Sequence, residues 1–157
     1  MTPSPTSLTL LLDADSAGRL RAVIGRLARR LRRTPSGLAA GLSPTRISLL
    51  LSIDRRGRLR LSALGELEGL NPTMLSRSVT QLVDAGLVQR TSDDGDRRAA
   101  WVHATEAGHA LAERMRTERT DAVNGALAGL TAAQRTLLEE SIPALEALAD
   151  NLRETRS

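Results

Sequence analysis

Cysteine is missing from all 157 residues of the chain, so disulfide bonds, thiol catalysis and thiol-based redox sensing are excluded. Phenylalanine and tyrosine are missing as well, and Trp101 is the single aromatic residue. The two histidines, His103 and His109, have no cluster of carboxylates around them in the sequence, which argues against a transition-metal site. These absences predict a protein that works without a metal or another cofactor.

Long apolar runs are also lacking. No segment approaches the roughly 18 uninterrupted apolar residues of a membrane-spanning helix, and the first residues, MTPSPTSL, lack the basic patch and apolar core of a secretory signal. We therefore expect a cytoplasmic protein without membrane contact, in which residues 1–14 form a flexible N-terminal segment. Residues 15–157 are expected to form a single domain, because a chain of this length buries one sizeable core.

Lysine is absent too, and all 22 basic residues are arginine. Seven of them lie between Arg19 and Arg33 without any acidic residue, whereas the remainder of the chain carries 15 arginines against 18 acidic residues. The planar guanidinium fork suits phosphate groups and guanine edges, so this composition is compatible with nucleic-acid binding. The cluster itself has two interpretations: a nucleic-acid contact, or a solvated face whose cations lie near the C-terminal end of a helix.

Most of the chain has the periodicity of amphipathic helices. Apolar residues at spacings of three and four predict a helix from Asp15 or Ser16, either of which can cap it, to about Arg33. The segment TPSG, residues 34–37, is expected to end that helix. Further helices are predicted after Ser43, over SALGELEG, after Asn71, from Thr105 to about Asn124, and from a capping box at Thr131 and Gln134 onward, where Pro143 should introduce a kink.

The segment NPTMLSRSVTQLVDAG has the clearest helix signals in the chain. Asn71 is the expected N-cap, Pro72 occupies the first helical position and Gly86 ends the helix. Its buried stripe is expected to comprise Leu75, Val79, Leu82 and Val83. With the preceding short helix and the tight turn GLN, this segment predicts a helix-turn-helix.

Two short segments, LVQRT and AAWVHA, predict a β-hairpin around SDDGDRR, and RLRL at residues 58–61 predicts another small strand. Trp101 is expected in the core between this sheet and the helices. The predicted fold is mainly α with a small antiparallel β-wing, a winged helix-turn-helix at about residues 43–104. The first and last helices carry more apolar surface than a compact core needs, which favours dimerisation helices at about 15–33 and 105–155.

The acidic segment TSDDGDRRAAW, residues 91–101, has three interpretations: a calcium loop, a plain hairpin turn, or a tip that contacts a partner. The calcium loop is excluded, because aligning Gly95 with its invariant glycine puts Arg90 at the first ligand position and Trp101 at that of the bidentate glutamate. Asp94 and Gly95 supply the chemistry of a turn. Three aspartates against two arginines make the segment too acidic for a simple phosphate clamp, so an acid that orients one arginine explains it better.

The run from Leu61 to Gly108 resembles the MarR family of bacterial transcription regulators. GLVQR after the second helix, DRR in the wing and TEAG at the start of the following helix carry the resemblance. It implies a homodimer on double-stranded DNA, with one recognition helix per subunit in the major groove and half-sites about one helical turn apart. The wing would reach the adjacent minor groove.

The resemblance also implies roles for individual residues. Thr73, Ser76 and Arg77 would face bases or phosphates, and Thr80 and Gln81 would either continue that contact or lie beyond the groove. The other implied DNA-binding residues are Asn71 and Pro72 beside a phosphate, Asp96 as the acid that orients a guanidinium, Arg97 on the DNA backbone, and Arg98 in the minor groove.

Many members of this family release DNA when a small, often aromatic, anion binds, and Arg46 is the candidate anion partner in this sequence. The alternative function is a winged helix used only for protein interaction, although an interface core would favour aromatic residues or Met on the exposed helix face. An enzyme is not indicated, because the sequence offers no nucleophile–base pair, acid pair, phosphate loop or metal cluster.

Overall fold

The structure is a computed structural model that describes residues 13–92 and 100–154. Within those ranges it is mainly helical with a small antiparallel sheet, which confirms the predicted fold class. Its elements are α1 (Ala14–Leu31), α2 (Pro35–Ala39), α3 (Pro44–Arg56), β1 (Leu59–Arg60), α4 (Leu61–Glu68), α5 (Pro72–Asp84), β2 (Val88–Ser92), β3 (Ala100–Ala104), α6 (Glu106–Ala128) and α7 (Ala132–Glu154). The chain divides into two compact units, residues 1–118 and residues 119–157, and α6 crosses their boundary.

The first unit contains a core to which α3, α4, α5, the sheet and the first turns of α6 all contribute. Helix α3 supplies four of the buried side chains, and α4, α5 and β3 pack against it. The core comprises Leu42, Ile47, Leu49, Leu50, Ile53, Leu64, Leu75, Val79, Leu82, Leu87, Val88, Val102, Ala104, Leu111 and Met115. Because α5 gives this core only one of its faces, its opposite face is left for solvent or a partner.

The N-cap of helix α1 lies two or three residues before the predicted one. Asp13, not Asp15 or Ser16, is the N-cap, and its carboxylate accepts a hydrogen bond from the backbone N–H of Ser16 at 2.7 Å. That hydrogen bond stabilises the charged form and lowers the pKa of Asp13 below its ordinary value. None of the α1 residues is buried, and the apolar side chains of Val23 and Leu27 are exposed.

The segment TPSG does end α1, but it also starts a helix that the sequence did not predict. Thr34 caps α2 by accepting a hydrogen bond from Gly37 N–H, and Pro35 occupies the first helical position. The carboxylate of Glu118, on α6, accepts hydrogen bonds from the backbone N–H and the hydroxyl of Ser36 at 3.0–3.1 Å. A partner 82 residues away therefore helps to satisfy the N-terminus of α2, and a local pattern does not reveal such a contact.

The three strands form an antiparallel sheet in the order β1-β3-β2. In its register Arg60 and Thr91 both lie opposite Trp101, and Leu59 and Arg90 both lie opposite Val102. Because successive side chains alternate between faces, Val102 and its cross-strand neighbours share one face and Trp101 and its neighbours share the other. The predicted hairpin strands are confirmed.

The expectation that Trp101 belongs to the core is wrong. Its side chain is half-buried, and the guanidinium carbons of Arg58 and Arg60 lie 4.8 and 5.3 Å from the centre of its ring. The cause is the alternation along β3: Val102 and Ala104 take the core face, so Trp101 falls on the outer face. The aromatic ring serves there as a platform for two cations.

In the second unit, α6 extends to Ala128, beyond the predicted end at Asn124. The predicted capping box is confirmed, since Thr131 Oγ1 accepts from Gln134 N–H and Gln134 Oε1 accepts from Thr131 N–H. Pro143 lies inside α7 without dividing it into two helices. The exposed large apolar residues of α7 are Leu137, Leu138, Ile142, Leu145 and Leu152. Across the described residues, no helix has both the length and the apolar character needed to span a bilayer.

Candidate nucleic-acid interface

Helix α5 presents one buried and one exposed face. Leu75, Val79 and Leu82 are buried in the core, as the sequence predicted, and Val83 is half-buried at its edge. The opposite face is polar and lies in solvent. The predicted contact residues on that face share one shallow surface with an open space of about 610 Å³, formed by Pro72, Thr73, Ser76, Arg77, Thr80 and Gln81.

Local chemistry fixes both ends of α5. Asn71 Oδ1 accepts a hydrogen bond from the backbone N–H of Met74 at 2.9 Å, and Pro72 begins the helix. At the other end, Gly86 adopts a φ of +71°, a left-handed conformation that glycine adopts without a steric penalty. The predicted cap, first residue and stop of the helix are all confirmed.

The turn before α5 is short and tightly packed. Helix α4 ends at Glu68, Gly69 adopts a left-handed φ of +63°, and Leu70 N–H donates to the Gly65 carbonyl at 3.0 Å. A side chain at Gly65 would come within 3.0 Å of the Leu75 side chain, so glycine allows α4 and α5 to pack closely. These contacts hold the two helices in the predicted helix-turn-helix arrangement.

Met74 is exposed near this surface and is not among the DNA-contact residues that the sequence predicts. Its side chain is 52% exposed in the first turn of α5, although methionine is apolar. An exposed thioether beside Thr73 and Arg77 provides an apolar contact surface among polar ones. Met74 directly precedes the buried Leu75 in the sequence, and that position alone did not distinguish the helix margin from the exposed face.

The three wing residues of the sequence prediction, Asp96, Arg97 and Arg98, lie outside the described residues, as does Gly95. The strands that lead to them are described. β2 and β3 are each five residues long and pair from Val88 opposite Ala104 to Ser92 opposite Ala100. The roles of the wing-tip residues therefore remain predictions, whereas the two strands that lead to the tip are observed.

The TEAG segment connects the residues after α5 to the start of α6 through hydrogen bonds of Thr105. The hydroxyl of Thr105 donates to the Gly86 carbonyl at 2.7 Å and accepts from Gly108 N–H at 3.0 Å. The backbone N–H of Thr105 also donates to the Leu87 carbonyl at 3.1 Å. One threonine thus caps α6 and fixes where the chain leaves the exposed helix toward the hairpin, which gives this motif a structural role.

A groove of about 800 Å³ separates the N-terminal end of α5 from the sheet. The groove is lined by two arginines of the sheet, Arg60 on β1 and Arg90 on β2. No sequence pattern indicates that these two residues lie close together. The remaining lining residues are Leu61, Ser62, Gly65, Glu66, Gly69, Leu70, Asn71, Pro72, Leu75 and Ala100. The groove therefore adjoins both the exposed face of α5 and the stem of the hairpin.

Arg46 lies in the first turn of α3. It is half-buried, and its Nε donates a hydrogen bond to the hydroxyl of Ser43 at 3.2 Å. Ser43 also accepts from the backbone N–H of Arg46, so the predicted helix cap and the candidate anion partner contact each other. The sequence and the structure place Arg46 on a different helix from the α5 surface.

Both histidines contact polar side chains of the protein. His109 and Arg116, both on α6, contact the carboxylate of Asp54 on α3, whose side chain is only 6% exposed. His103 Nε2 lies 2.9 Å from Gln89 Oε1 across the hairpin. Among the described residues, no group of three His, Cys, Asp or Glu side chains is placed to hold a metal ion.

Comparison with known proteins agrees with this geometry. A sequence model of the MarR family matches residues 42–100, which include α3, the helix-turn-helix and β2, and end at the first residue of β3. An uncharacterized HTH-type transcriptional regulator of Mycobacterium bovis is 30% identical over 143 residues, covering 89% of this chain and 98% of that protein. The chain belongs to the MarR family of transcriptional regulators. For this MarR-family regulator, the resemblance of Leu61–Gly108 is therefore confirmed at the level of the family.

Other comparisons extend the same assignment. The uncharacterized regulator YwhA of Bacillus subtilis is 29% identical over 66 residues, which are 42% of this chain and 48% of that protein. The structure of wild-type MarR from E. coli has a TM-score of 0.71 at 22% identity, covering 82% of this chain and 94% of that chain. NadR, solved in complex with 4-hydroxyphenylacetate, has a TM-score of 0.61 at 20% identity over 92% and 97% of the two chains. At these identities the two structures support the fold of the MarR-family regulator.

Proposed function

We propose that this MarR-family regulator is a homodimeric repressor that binds a palindromic DNA operator. The proposal rests on the two faces of α5. Leu75, Val79 and Leu82 are buried on one face, whereas the other face is exposed and polar. A helix of this kind, following a tight turn and preceding a hairpin, fits the width of the major groove. The family to which the chain belongs regulates transcription, and DNA is the partner on which such regulators act.

On this proposal the exposed face of α5 reads the operator. Arg77 offers two parallel donors that match the O6 and N7 acceptors of guanine, and Thr73 and Ser76 lie on the same surface. Thr80 and Gln81 continue that surface by one turn. Asn71 and Pro72 bring the positive end of the helix dipole near a phosphate, while the Asn71 side chain itself serves as the cap.

The wing supplies the second contact. We assign Arg98 to the minor groove, Asp96 to the orientation of its guanidinium, and Arg97 to a backbone phosphate. Asp96 and Arg98 are two residues apart, so in an extended strand they project from the same side. The support for these roles is the family motif together with the hairpin stem formed by β2 and β3.

Exposed apolar surface supports the homodimer. On α1 the large exposed residues are Val23, Ile24 and Leu27, and on α7 five further large apolar residues are exposed. A run of exposed apolar side chains along a helix is typical of association sites. A twofold dimer would present two copies of α5 to half-sites separated by about one helical turn, which explains why we expect a palindrome.

Titration of labelled duplexes from the protein's own upstream region tests the proposal. We expect tight binding to one palindromic duplex, two subunits per duplex, and an affinity that falls steeply with salt because phosphate contacts release counterions. Arg98→Ala should weaken operator binding by about 10-fold, since a narrow minor groove attracts an inserted arginine. Transcription from a promoter that contains the site should fall when protein is added. Unchanged binding by Arg98→Ala, or a single subunit in solution, would count against the corresponding part of the proposal.

Release by a small anionic or aromatic effector is a further part of the proposal. It is supported by the fold relationship to NadR, whose structure contains 4-hydroxyphenylacetate, and by the half-buried guanidinium of Arg46. We expect this compound, used as a probe of the ligand class, to lower operator affinity by at least about 10-fold, the scale of typical coupling energies. Arg46→Gln should remove that effect without changing operator affinity in the absence of the probe. An equal response of both proteins would exclude Arg46 as the anion partner.

The alternative, a winged helix used only for protein interaction, is less well supported. The exposed face of α5 consists mainly of Thr, Ser, Arg and Gln side chains, whereas the centre of a protein interface is depleted of charge and enriched in aromatic residues. Loss of binding to every duplex, together with capture of a protein partner through α5, would favour this alternative.

A further inference from the structure

A small polar crevice lies where the C-terminal ends of α1 and α4 meet the first turns of α3. Its volume is about 230 Å³. Its lining residues are Arg32, Pro44, Thr45, Ser48, Glu68 and Leu70. Arg46, the candidate partner of an anionic effector, does not line it. Pockets for drug-sized molecules have roughly 300–1,000 Å³, so this crevice suits a smaller ligand.

Glu68 is the acidic group of the crevice. Its carboxylate accepts one hydrogen bond on each oxygen, from the hydroxyl of Ser48 at 2.7 Å and from the hydroxyl of Ser52. A carboxylate has about four acceptor positions in total. The two serine hydroxyls therefore fix the direction of the carboxylate and leave acceptor positions for a cationic donor.

The position of Glu68 within α4 is electrostatically unfavourable. Glu68 is the last residue of this helix, and α4 has no basic residue in its last turn. The aligned peptide dipoles place partial negative charge at the C-terminal end of a helix, so a carboxylate there is repelled. A positively charged group that binds at Glu68 relieves this repulsion.

Arg32 supplies the opposite charge. It is the C-cap residue of α1, and its side chain is exposed. A guanidinium binds a carboxylate through two parallel hydrogen bonds, which fixes the orientation of the bound anion. The crevice therefore offers a group for a cation and a group for an anion within one small volume, and Pro44 and Leu70 add apolar surface beside them.

We propose that this crevice binds a free α-amino acid with a short apolar side chain. The ammonium group of the ligand donates to Glu68, and its carboxylate accepts from Arg32. The Thr45 hydroxyl is a further polar group of the site, and the apolar surface accommodates the side chain of the ligand. The single aromatic residue of the chain does not line the crevice, so an aromatic ligand or a sugar ring has no stacking partner there.

Calorimetric titration of the DNA-free, full-length protein with glycine, L-alanine, L-valine and L-leucine tests the proposal. We expect saturable binding, with one ligand per subunit. Isovalerate is L-valine without its ammonium group, and isobutylamine is L-valine without its carboxylate. Each should bind at least about 10-fold more weakly than L-valine, because each loses one charge-assisted interaction.

Two single variants assign the charged groups. Glu68→Gln should weaken L-valine at least about 10-fold but should not weaken isovalerate, which has no ammonium group. Arg32→Gln should weaken L-valine by a similar factor but should not weaken isobutylamine, which has no carboxylate. The matched controls are Glu66→Gln on the same helix and Arg33→Gln at the next position of the chain. Neither residue lines the crevice, so both controls should bind L-valine as the wild type does.

A purely structural role of Glu68, as a group that joins α4 to α3 through Ser48 and Ser52, predicts a different result. Glu68→Gln would then weaken all three compounds equally, which contradicts the proposal. Arg32→Gln does not depend on that interhelical contact, because it changes one exposed side chain. L-valine should raise the Tm of the wild type, since a ligand of the folded state stabilises it, and should not raise the Tm of Arg32→Gln.

The outcomes are distinguishable from those of the DNA experiments. Normal operator binding without saturable binding of any of the four amino acids rejects the crevice site alone. Amino-acid binding that both Glu68→Gln and Arg32→Gln weaken, in a protein that prefers no duplex, supports the crevice site and rejects the proposed function. Equal affinity for L-valine and isovalerate would show that the crevice recognises only an anion and would overturn the inference.

Discussion

Replacing Gly108 by alanine is expected to destabilise the protein by at least about 3 kcal/mol, the upper range for overpacking a well-packed site. A Cβ atom at this position would overlap the carbonyl oxygen of Leu87, which is backbone and not a flexible side chain. That carbonyl already accepts a hydrogen bond from Thr105 N–H, so it cannot move aside without disturbing the cap of α6. Urea unfolding at fixed protein concentration measures the loss.

Gly125, on the same helix, provides the matched control. Nothing lies within 4 Å of a Cβ atom added there, so Gly125→Ala should stabilise α6 by about 0.5–1 kcal/mol through helix propensity alone. The two substitutions are chemically identical and should have opposite effects. Equal effects would show that the close packing of Gly108 against Leu87 does not determine stability.

The elements of the winged helix-turn-helix were predictable where local chemistry determines them. Asn71 and Ser43 each precede a proline, and both cap the helix that follows. Helix α2 was missed because it contains only five residues and depends on the distant carboxylate of Glu118. Short helices with tertiary caps have too weak a local signal to be read from spacing.

The position of Trp101 shows why pattern alone could not complete the sheet. In AAWVHA each alternating set contains a large apolar residue, Trp101 in one and Val102 in the other, so alternation alone does not decide which set faces the core. The folded sheet, in which β3 pairs with both β1 and β2, determines which set faces the core. Val102 lies inside, and Trp101 lies outside beside Arg58 and Arg60. The aromatic residue that was expected to stabilise the core thereby becomes part of the cationic outer surface.

The exposed face of α5 was predicted from sequence, whereas the groove beside it was not. The exposed face follows from the helical repeat of α5 alone, because burial of Leu75 and Val79 leaves Arg77 and Thr80 on the outside. Arg60 and Arg90 are separated by 30 positions in the chain. Both line the groove, although they lie opposite Trp101 and Val102 and so belong to opposite faces of the sheet; only the folded structure shows that both side chains reach it.

Reversing the charge of Arg77 is expected to lower operator affinity by about 100-fold or more. Loss of a bidentate base contact costs about 1–3 kcal/mol, and the introduced carboxylate of Arg77→Glu is in addition repelled by the phosphates. Stability should change by less than about 0.5 kcal/mol, because Arg77 is exposed on the face opposite Val79. Fluorescence titration of the operator duplex and thermal unfolding measure the two effects separately.

Two further variants determine what Arg77 recognises. Arg77→Lys keeps the charge but loses the planar fork, so it should retain affinity for a scrambled duplex while the preference for the operator falls about 10-fold. Arg114→Glu, an equal charge reversal on exposed α6, should change both affinities by the same small factor. If Arg77→Lys instead preserves the preference, Arg77 contacts phosphate and the bases must be read by Thr73 and Ser76. If Arg77→Glu binds the operator with wild-type affinity, α5 is not part of the DNA interface.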